Sequence, residues 1–380
     1  MKKILVVFGT RPEAIKMAPL CHALRAKHDE FDLRICVTGQ HRDMLDQVLG
    51  VFNIVPDIDL DIMRPGQTLF DITARILVEM KAVIESEKPD IVLVHGDTTT
   101  AFASALAAFY SGVAVGHVEA GLRTHDLHAP FPEEMNRQFV GRLASVHFAP
   151  TDKSVANLAA EAVPAQKIFK TGNTVIDALQ WILKRLASEP ARADAILLKL
   201  GELVHFPLVS ERYVLVTGHR RENFGQGFEQ ITAALAELAG RYPSVHFVYP
   251  VHLNPNVASH VHAALSGIKN IHLISPQEYE PFALLLQHCH IVLTDSGGIQ
   301  EEAPSLGKPV LVMRDVTERP EAVDAGTVRL VGADQARIVA ELSALLDDAE
   351  HYQAMAHAHN PYGDGNACER IVTHLREILV

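Results

Sequence analysis

Residues 294–310, TDSGGIQEEAPSLGKPV, join a glycine turn to two adjacent carboxylates. The end of an apolar strand leads through the Ser-Gly-Gly turn at 296–298 into a short helix. Glycines let the backbone come close to a phosphate, and free amides at a helix N-terminus favour its negative charge. Glu301 and Glu302 follow one turn later, where a carboxylate can accept hydrogen bonds from both hydroxyls of a ribose. The stretch predicts a nucleotide site, while a turn that packs a strand against a helix would need glycine as well.

Basic residues in two other segments could neutralise the charge of a diphosphate. The segment FGTRPEAIKMAPL, residues 8–20, places Arg11 in a loop and Lys16 about one turn into the next helix. Arg319, in TERPEA, adds a third cation. Cations beside a diphosphate stabilise it as a leaving group. Placement on the surface is the alternative for each base taken singly.

Carboxylates follow predicted strands or loops at three places, which suggests proton transfer. They are Asp97 in HGDTTTAFA, Glu119 in HVEAGLRT, and Glu133 with Glu134 in PFPEEMNRQF. Helix capping is the alternative, and PEEMNRQ itself opens a helix. Among the 21 histidines, His219 stands out because it follows the strand YVLVTG and is flanked by charged residues.

The motifs do not support a redox cofactor or a metal. The GQGFEQ segment at 225–230 lacks the final glycine of a dinucleotide fingerprint, and the sequence has no Walker spacing. We therefore expect no nicotinamide or flavin cofactor. His288 and His290 flank Cys289, but no third ligand is signalled, and packing explains the pair better.

The composition is that of a folded protein without nucleic-acid or membrane partners. A chain of 380 residues, 48% apolar and 21% charged, is long enough for two domains. The net charge of -12 would repel nucleic-acid phosphates. The four cysteines form no CxxC pair, which favours a reduced cytoplasm. The uncharged stretch 98–118 contains threonine, glycine and histidine, and we interpret it as a buried helix and strand rather than a membrane span.

Short apolar runs alternate with helical patterns along both halves of the chain. The first half contains ILVVFGT, LRICVTGQ, IVLVHGDT and VAVGHVEA, and the second contains YVLVTGHR, HFVYPVH, IHLIS, IVLTDSGG and PVLVMRD. This alternation predicts an α/β protein with two doubly wound, Rossmann-like domains. Ligands bind outside the carboxyl ends of such strands, so we expect a site in the cleft between the domains. The stretch 170–212 lacks a strong strand and marks the seam.

The sequence resembles the non-hydrolysing bacterial UDP-N-acetylglucosamine 2-epimerases over essentially its full length. The matching segments include those quoted above together with TGQHRDMLDQVL, TGNTVIDAL, YPVHLNPNV and NPYGDGNACERI, all in the family's order. The resemblance implies a glycosyltransferase-B type fold. Its first domain would be residues 1–170 joined by a last helix at 363–380, and its second, UDP-binding domain would be residues 171–362. The resemblance also implies a cytoplasmic homodimer that needs no cofactor.

Family members interconvert UDP-N-acetylglucosamine and UDP-N-acetylmannosamine, and that chemistry makes sense of the residues. The hydrogen on C2 of the sugar has no adjacent carbonyl to acidify it, so direct deprotonation is prohibitive. Loss of UDP from C1 makes elimination feasible and leaves 2-acetamidoglucal with UDP still bound. Return of a proton to the opposite face of C2 inverts that centre. The product would supply the synthesis of bacterial surface polysaccharides.

The resemblance assigns roles to residues by motif. Catalytic roles fall on Asp97, Glu119, Glu133 and His219, with Lys16 near the phosphates. The implied substrate-binding positions are Arg11, Lys16, Asp97, Glu119, His219, Gln277, Phe282, Ser296, Gly297, Gly298, Glu302 and Arg319. Some relatives bind a second, activating substrate molecule, and the matching positions are Gln40, His41, Arg220 and His252. The sequence departs from those relatives at Asp43 and Gly66.

Three other functions would use the same residues differently. A hydrolysing epimerase releases UDP and free N-acetylmannosamine because water intercepts the glycal, and the stretch from TGHRREN to YPVHLNP favours the non-hydrolysing kind. A glycosyltransferase of the same fold needs an acceptor and does not require Asp97, Glu119 and Glu133 together. A sensor of nucleotide sugars would tolerate the loss of those acids.

Overall fold

The structure is a computed structural model that describes residues 1–40 and 42–379. Over these residues the chain forms two compact units. The first unit consists of residues 1–181 and the C-terminal segment that begins at Tyr362, and the second consists of Ile182–Pro361. Within the described ranges, no helix has the length and apolarity that crossing a bilayer requires.

The first unit is built on a parallel sheet. Its strands are β1 (Lys2–Phe8), β2 (Phe31–Val37), β3 (Ile58–Asp59), β4 (Ile91–His95), β5 (Ala114–Val118), β6 (Val146–Ala149) and β7 (Ile168–Lys170). Their order across the sheet is β3-β2-β1-β4-β5-β6-β7, and every pair is parallel. The helices that alternate with them are α1 (Arg11–Arg25), α2 (Arg42–Val51), α3 (Leu69–Glu87), α4 (Thr99–Tyr110), α5 (Glu133–Leu143), α6 (Asp152–Ala160) and α7 (Thr174–Ser188).

The second unit repeats the arrangement on a separate sheet. Its strands are β8 (Tyr213–Thr217), β9 (His246–Pro250), β10 (Ile271–Ile274), β11 (Ile291–Thr294), β12 (Val310–Val312) and β13 (Val328–Leu330), in the order β10-β9-β8-β11-β12-β13. All pairs are parallel. Its helices are α8 (Pro190–Val204), α9 (Gln226–Arg241), α10 (Pro255–Leu265), α11 (Tyr279–His288), α12 (Ile299–Glu302), α13 (Pro320–Asp324), α14 (Gln335–Asp347) and α15 (Ala349–Ala356). The last helix of the chain, α16 (Ala367–Ile378), belongs to the first unit.

Both sheets have the doubly wound order, in which the first and fourth strands of the unit are neighbours. The predicted fold class is therefore confirmed as α/β with two Rossmann-like units, the components of the glycosyltransferase-B type. The uncharged stretch 98–118 forms α4 and β5, as predicted.

The strands are continuous apolar runs because helices cover both faces of each sheet. In β1, every residue from Ile4 to Phe8 is fully buried. Strands β1 and β4 pack against Ile76 and Met80 of α3 and against the alanines of α4. Small side chains let α4 lie close to the sheet. In the second unit, β8 and β11 pack against α9 and α14 in the same way. Packing on both faces leaves the carboxyl ends of the strands as the place for polar side chains.

The first part of α7 belongs to the first unit. The ring of Trp181 stacks on His22 of α1 with 4.9 Å between centroids. The Asp177 carboxylate accepts hydrogen bonds from the backbone amides of Ala367 and Cys368, at 3.2 and 2.8 Å, and so caps the start of α16. The division between the units consequently falls after Trp181, whereas the sequence analysis placed it after residue 170.

Candidate active site

The carboxyl ends of β1 and β4 carry the first group of predicted residues. In a doubly wound sheet the chain leaves these neighbouring strands in opposite directions, which opens a crevice suited to a ligand. Arg11 begins α1 directly after β1, and Asp97 follows β4. The fold therefore places both residues at this crevice of the first unit.

A buried carboxylate ties these two loops together. Glu13 Oε2 accepts hydrogen bonds from the backbone amides of Gly9 and Thr10 at 3.1 and 2.8 Å, and Oε1 accepts one from the Thr98 hydroxyl at 2.7 Å. Glu13 is 1% exposed. Burial raises its pKa to about 7, although the hydrogen bonds oppose the rise. Glu13 thus fixes the β1–α1 loop against the β4–α4 loop.

Asp97 lies beside a cation contributed by α5. Arg137 Nη2 donates to Asp97 Oδ2 at 2.5 Å, and Asn136 Nδ2 donates to the backbone carbonyl of Asp97 at 2.9 Å. Burial raises the pKa of the Asp97 carboxyl above its usual range, and the charge of Arg137 opposes that rise. A carboxyl in this environment takes up a proton more readily than one in water.

Glu119, directly after β5, has a left-handed backbone with φ of 61°. This conformation is uncommon outside glycine and is found at functional sites. The ammonium of Lys16 donates to Glu119 Oε1, Asn173 Nδ2 donates to the same oxygen at 2.8 Å, and His95 Nε2 lies 3.3 Å from Oε2. Burial by itself would raise the pKa of Glu119, but the charge and hydrogen bond of Lys16 outweigh it and hold that pKa below its usual range.

His95 and the two acids differ in how their surroundings shift their pKa values. Burial lowers the pKa of His95 to about 4, so its ring is neutral. The pKa of Asp97 is raised and that of Glu119 is lowered, for the reasons given above. Two carboxyl groups whose environments push their pKa values apart are the usual basis for separate acid and base roles.

The adjacent glutamates at the start of α5 differ in their surroundings. Glu134 is fully buried, and it accepts hydrogen bonds from the backbone amides of Thr124 and His125 at 3.0 and 3.1 Å. It therefore fixes the loop before α5. Glu133, the residue with the predicted catalytic role, is half-buried in the first turn of the helix.

The equivalent loops of the second unit follow β8 and β11. His219 lies after β8 with its side chain 42% exposed, and Asp295 follows β11 and is fully buried. Asp295 Oδ2 accepts hydrogen bonds from the backbone amides of His219 and Arg220, both at 2.8 Å. Partial burial lowers the pKa of His219, and the Asp295 carboxylate opposes this effect. His219 was predicted from the sequence as a site residue, and Asp295 was not.

The Ser-Gly-Gly turn comes next in the chain and lies beside Arg319. A Cβ added at Gly297 would lie 2.7 Å from Arg319 Nη1, so the guanidinium covers this part of the turn. The turn leads into α12, which spans Ile299–Glu302. A helix of one turn has a small dipole, so the backbone amides and Arg319 would have to hold most of an anion's charge.

The two predicted glutamates of α12 have different partners. Glu301 is fully buried, and its Oε1 accepts a hydrogen bond from Arg319 Nε at 2.7 Å. Glu302 Oε1 accepts one from the Tyr279 hydroxyl at 3.1 Å. Glu301 therefore orients the cation, and Glu302 is the better candidate for ribose. Tyr279, on α11, was not identified from the sequence.

The remaining predicted positions are distributed over both units. Phe282, on α11, is half-buried, and Gln277 in the preceding loop donates to the Ser275 carbonyl at 2.7 Å. Among the residues assigned to a second substrate molecule, Gln40 accepts a hydrogen bond from Thr100 at 3.1 Å in the first unit. In the second unit, the ring of His252 stacks on His219, next to Arg220, at 5.3 Å. His41 lies outside the described residues.

Among the side chains that the structure describes, no group of three or more His, Cys, Asp or Glu residues is arranged to hold a metal ion. His290 instead stacks on Tyr352 at 4.2 Å and lies 2.9 Å from Arg212 Nη2. These contacts fit the packing role that the sequence favoured.

Comparisons with known proteins identify the family of the chain. The profile of the UDP-N-acetylglucosamine 2-epimerase family matches residues 22–376. The chain belongs to this family. The UDP-N-acetylglucosamine 2-epimerase of Salmonella typhimurium is 58% identical over 378 residues, covering 100% of this chain and 99% of the relative. The protein of the same name from Escherichia coli strain K12 is 59% identical over 374 residues, 98% of each chain.

Solved structures of the epimerase family have the same fold. The crystal structure of UDP-GlcNAc 2-epimerase from Neisseria meningitidis bound to UDP-GlcNAc has a TM-score of 0.88 and 51% identity, covering 99% of this chain and 100% of that one. The Methanocaldococcus jannaschii UDP-GlcNAc 2-epimerase in complex with UDP-GlcNAc and UDP has a TM-score of 0.80 and 33% identity, covering 99% of each chain.

Several residues of the candidate site were not predicted from the sequence. Glu13 and Tyr279 are two of them, and His95, Arg137, Asn173 and Asp295 are four more. Of the last four, two could have been predicted from their positions in the sequence. Asp295 follows β11 as Asp97 follows β4, and Arg137 lies one helical turn after Glu133 and Glu134. His95 and Asn173 carried no such signal.

Proposed function

We propose that the protein catalyses the reversible C2 epimerisation of UDP-N-acetylglucosamine to UDP-N-acetylmannosamine without hydrolysing its substrate. The observation that carries the proposal is the placement of Asp97 and Glu119 after the adjacent strands β4 and β5, with pKa values shifted in opposite directions. Epimerisation needs one group that removes a proton from C2 and another that supplies one to the opposite face. Family membership and the UDP-GlcNAc in the related structures support the choice of substrate.

In this mechanism a base removes the C2 proton while the C1–O bond to UDP breaks, and a C1–C2 double bond forms. The intermediate is 2-acetamidoglucal, and UDP remains bound. A second group then delivers a proton to the other face of C2 while UDP adds again to C1. Glu119, with its lowered pKa, is suited to the ionised role, and Asp97, with its raised pKa, to the proton-carrying role. Glu133 is a further acid at the start of α5.

The second unit would bind the UDP part of the substrate. Arg319 and the turn at 296–298 would hold the diphosphate, and Glu302 the ribose hydroxyls. The half-buried ring of Phe282 would flank the uracil. Arg11, Lys16 and His219 would add positive charge as UDP leaves. No step requires a cofactor.

Incubation with UDP-N-acetylglucosamine in deuterated water, followed by NMR, tests the proposal. We expect UDP-N-acetylmannosamine with deuterium at C2 and UDP still attached to the sugar. Release of stoichiometric UDP would indicate the hydrolysing reaction instead, and turnover that requires an added sugar acceptor would indicate a glycosyltransferase. An unchanged substrate that still binds would indicate a sensor. Each of these three results contradicts the proposal.

We infer further that the protein is a homodimer that associates through α3 and α4. These helices carry large apolar side chains that are well exposed, including Phe70 at 86%, Val78 at 68% and Tyr110 at 71%. Exposed apolar surface of this kind marks contact sites between proteins. Analytical ultracentrifugation should show a dimer that Val78→Asp converts to a monomer, while Leu253→Asp, a change at an exposed apolar residue of the second unit, leaves it intact. A monomeric parent protein would rule out the dimer.

We infer that the reaction takes place in the cytoplasm and that its product supplies bacterial surface polysaccharide synthesis. All four cysteines are buried free thiols, the state that a reducing compartment preserves. Deletion of the gene in the source organism should deplete cytoplasmic UDP-N-acetylmannosamine, as measured by mass spectrometry of cell extracts, and should reduce N-acetylmannosamine in the cell-surface glycans. An unchanged nucleotide-sugar pool would contradict this assignment.

A further inference from the structure

The proposed mechanism gives no role to Asp295. It follows β11 as Asp97 follows β4, but its side chain is fully buried, so it cannot meet a substrate. A buried carboxylate needs partners that offset the loss of water. The partners of Asp295 therefore indicate its role.

One oxygen of this carboxylate fixes the backbone after β8. Oδ2 accepts hydrogen bonds from the amides of His219 and Arg220, each at 2.8 Å, and from Asn223 Nδ2 at 3.4 Å. Asn223 Nδ2 also donates to the Met313 carbonyl at 3.1 Å. The loop that carries His219 is thus held at its backbone by Asp295 itself.

The other oxygen faces the ring of His219. Oδ1 lies 3.4 Å from His219 Nδ1, and within the described part of the chain it has no hydrogen-bond partner. An unpartnered carboxylate oxygen in the interior is costly, and a small rotation of the imidazole would satisfy it. Since Oδ1 of an ionised carboxylate can only accept, Nδ1 must carry the proton in that contact.

We propose that Asp295 is a positioning residue for His219, which holds the loop through Oδ2 and the Nδ1–H tautomer of the ring through Oδ1, so that Nε2 faces the ligand. In this arrangement Nε2 accepts a proton when an anionic diphosphate approaches, and the imidazolium so formed lies between two negative groups. The carboxylate orients the histidine as the aspartate does in a Ser-His-Asp triad.

The charges around His219 make Asp295 the group that favours its protonation. Partial burial, the stacked ring of His252 and the guanidinium of Arg220 each lower the pKa of His219, and Asp295 raises it. The nearby hydroxyl of Tyr249 donates to the Gly218 carbonyl at 3.2 Å and does not compete for Oδ1. Without the charge of the Asp295 carboxylate, the remaining effects would all lower the pKa of His219.

The tautomer of His219 tests the proposal directly. The full-length protein is labelled with 15N-histidine, and the ring signals of His219 are assigned from their loss in His219→Gln. We expect the Nδ1–H tautomer at neutral pH in the parent protein. In Asp295→Asn the amide group would face Nδ1 as a donor, so we expect the Nε2–H tautomer and a lower pKa of His219. An Nε2–H tautomer in the parent overturns the proposal even if Asp295→Asn does not fold.

A matched variant separates positioning from general effects of charge. Glu222→Gln removes a carboxylate from the same loop, where Glu222 pairs with Arg314 at 2.6 Å rather than with His219. We expect the parent tautomer and the parent pKa of His219 in Glu222→Gln. The same change of tautomer in both variants would mean that Asp295 acts through loop structure alone, which contradicts the proposal.

The kinetic test rests on the proposed epimerisation. If that reaction occurs, Asp295→Asn should lower kcat/KM at least about tenfold and move the limb of the pH profile that reports protonated His219 to lower pH. An unshifted limb contradicts the role of Asp295. Absence of epimerisation in the parent protein would contradict the proposed function, while the tautomer measurement would still decide the role of Asp295.

Discussion

Arg137 of α5 and Asp97 of the loop after β4 form an ion pair across 2.5 Å. Arg137 Nη1 also lies 3.3 Å from Glu134, which fixes the loop before α5. The guanidinium therefore links the start of α5, where Glu133 lies, to the carboxyl end of β4. Its charge is the largest of the effects that oppose the raised pKa of Asp97, so Arg137 influences how readily that carboxyl is protonated.

Replacement of Arg137 should change the pH dependence of the reaction in a defined direction. Arg137→Met removes a positive charge that lowers the pKa of Asp97, so that pKa rises further. We expect the limb of the kcat profile that reports loss of the Asp97 proton to move to higher pH. Arg137→Lys keeps the charge and should return the limb toward its original position. A limb that stays in place in Arg137→Met would show that Asp97 does not titrate in the reaction.

Loss of either central acid should affect turnover more than binding. Asp97→Asn and Glu119→Gln keep the shape of the side chain and remove the exchangeable proton site. We expect each to lower kcat about a hundredfold or more, with the affinity for UDP, measured by calorimetry, within about threefold of the parent. Glu369→Gln, which changes an exposed carboxylate on α16, is the control and should leave both quantities unchanged. Parental turnover in either acid variant would exclude that acid from the mechanism.

The residues at strand ends were predictable because apolar periodicity reveals where a buried strand stops. Arg11, Asp97, Glu119, His219 and the turn at 296–298 all follow such strands, and the structure places each of them there. Doubly wound topology then determines that residues after the first and fourth strands of a unit lie together. The same rule applies to Asp295. It was not predicted from the sequence because the segment was interpreted through the glycines of the turn that follows it.

Contacts that depend on side-chain direction could not be predicted from the sequence. Asn173 reaches Glu119 from the start of α7, and His95 faces it from within β4, although the three residues are far apart in the chain. Their convergence depends on how the fold brings the start of α7 within reach of the residue after β5. Residue types alone did not distinguish Glu301 from Glu302, and the resemblance to the epimerases assigned UDP binding to Glu302. The pairing of Glu301 with Arg319 became visible only in the structure.

Two alanine substitutions test whether the turn before α12 holds a phosphate. A Cβ at Gly298 would have no atom within 4 Å, so Gly298→Ala should leave the thermal midpoint unchanged. If a phosphate lies against this backbone, the methyl group will meet the ligand and should weaken UDP binding about tenfold. A Cβ at Gly297 would displace the Arg319 guanidinium, 2.7 Å away, and should also weaken UDP binding.

A helical glycine elsewhere in the second unit supplies the control for these changes. Gly240, on α9, also has no atom within 4 Å of an added Cβ. Gly240→Ala should bind UDP as the parent does and gain up to about 1 kcal/mol of stability from helix propensity. Parental UDP affinity in Gly298→Ala, measured by calorimetry beside this control, would place the phosphate away from residue 298.

The buried Glu13 should make the stability of the first unit depend on pH. Its pKa is raised by burial from 4.5 to about 7, so the folded protein binds more protons than the unfolded chain between these values. The stabilisation from this proton is fully present below pH 4.5 and is lost as the pH rises through about 7. The change amounts to about 3 kcal/mol, since one pKa unit corresponds to about 1.4 kcal/mol.

Glu13→Gln removes this titration while keeping an oxygen for the amides of Gly9 and Thr10. The free energy of unfolding of the variant, relative to the parent, should therefore rise between pH 5 and pH 8. Urea unfolding followed by the fluorescence of Trp181, the single tryptophan of the sequence, measures the first unit specifically. Glu369→Gln, at an exposed carboxylate of the same unit, should show no such pH-dependent difference. If the free energy of unfolding of Glu13→Gln relative to the parent is likewise independent of pH, the Glu13 carboxylate is ionised throughout this range. Its three hydrogen bonds would then outweigh the effect of burial.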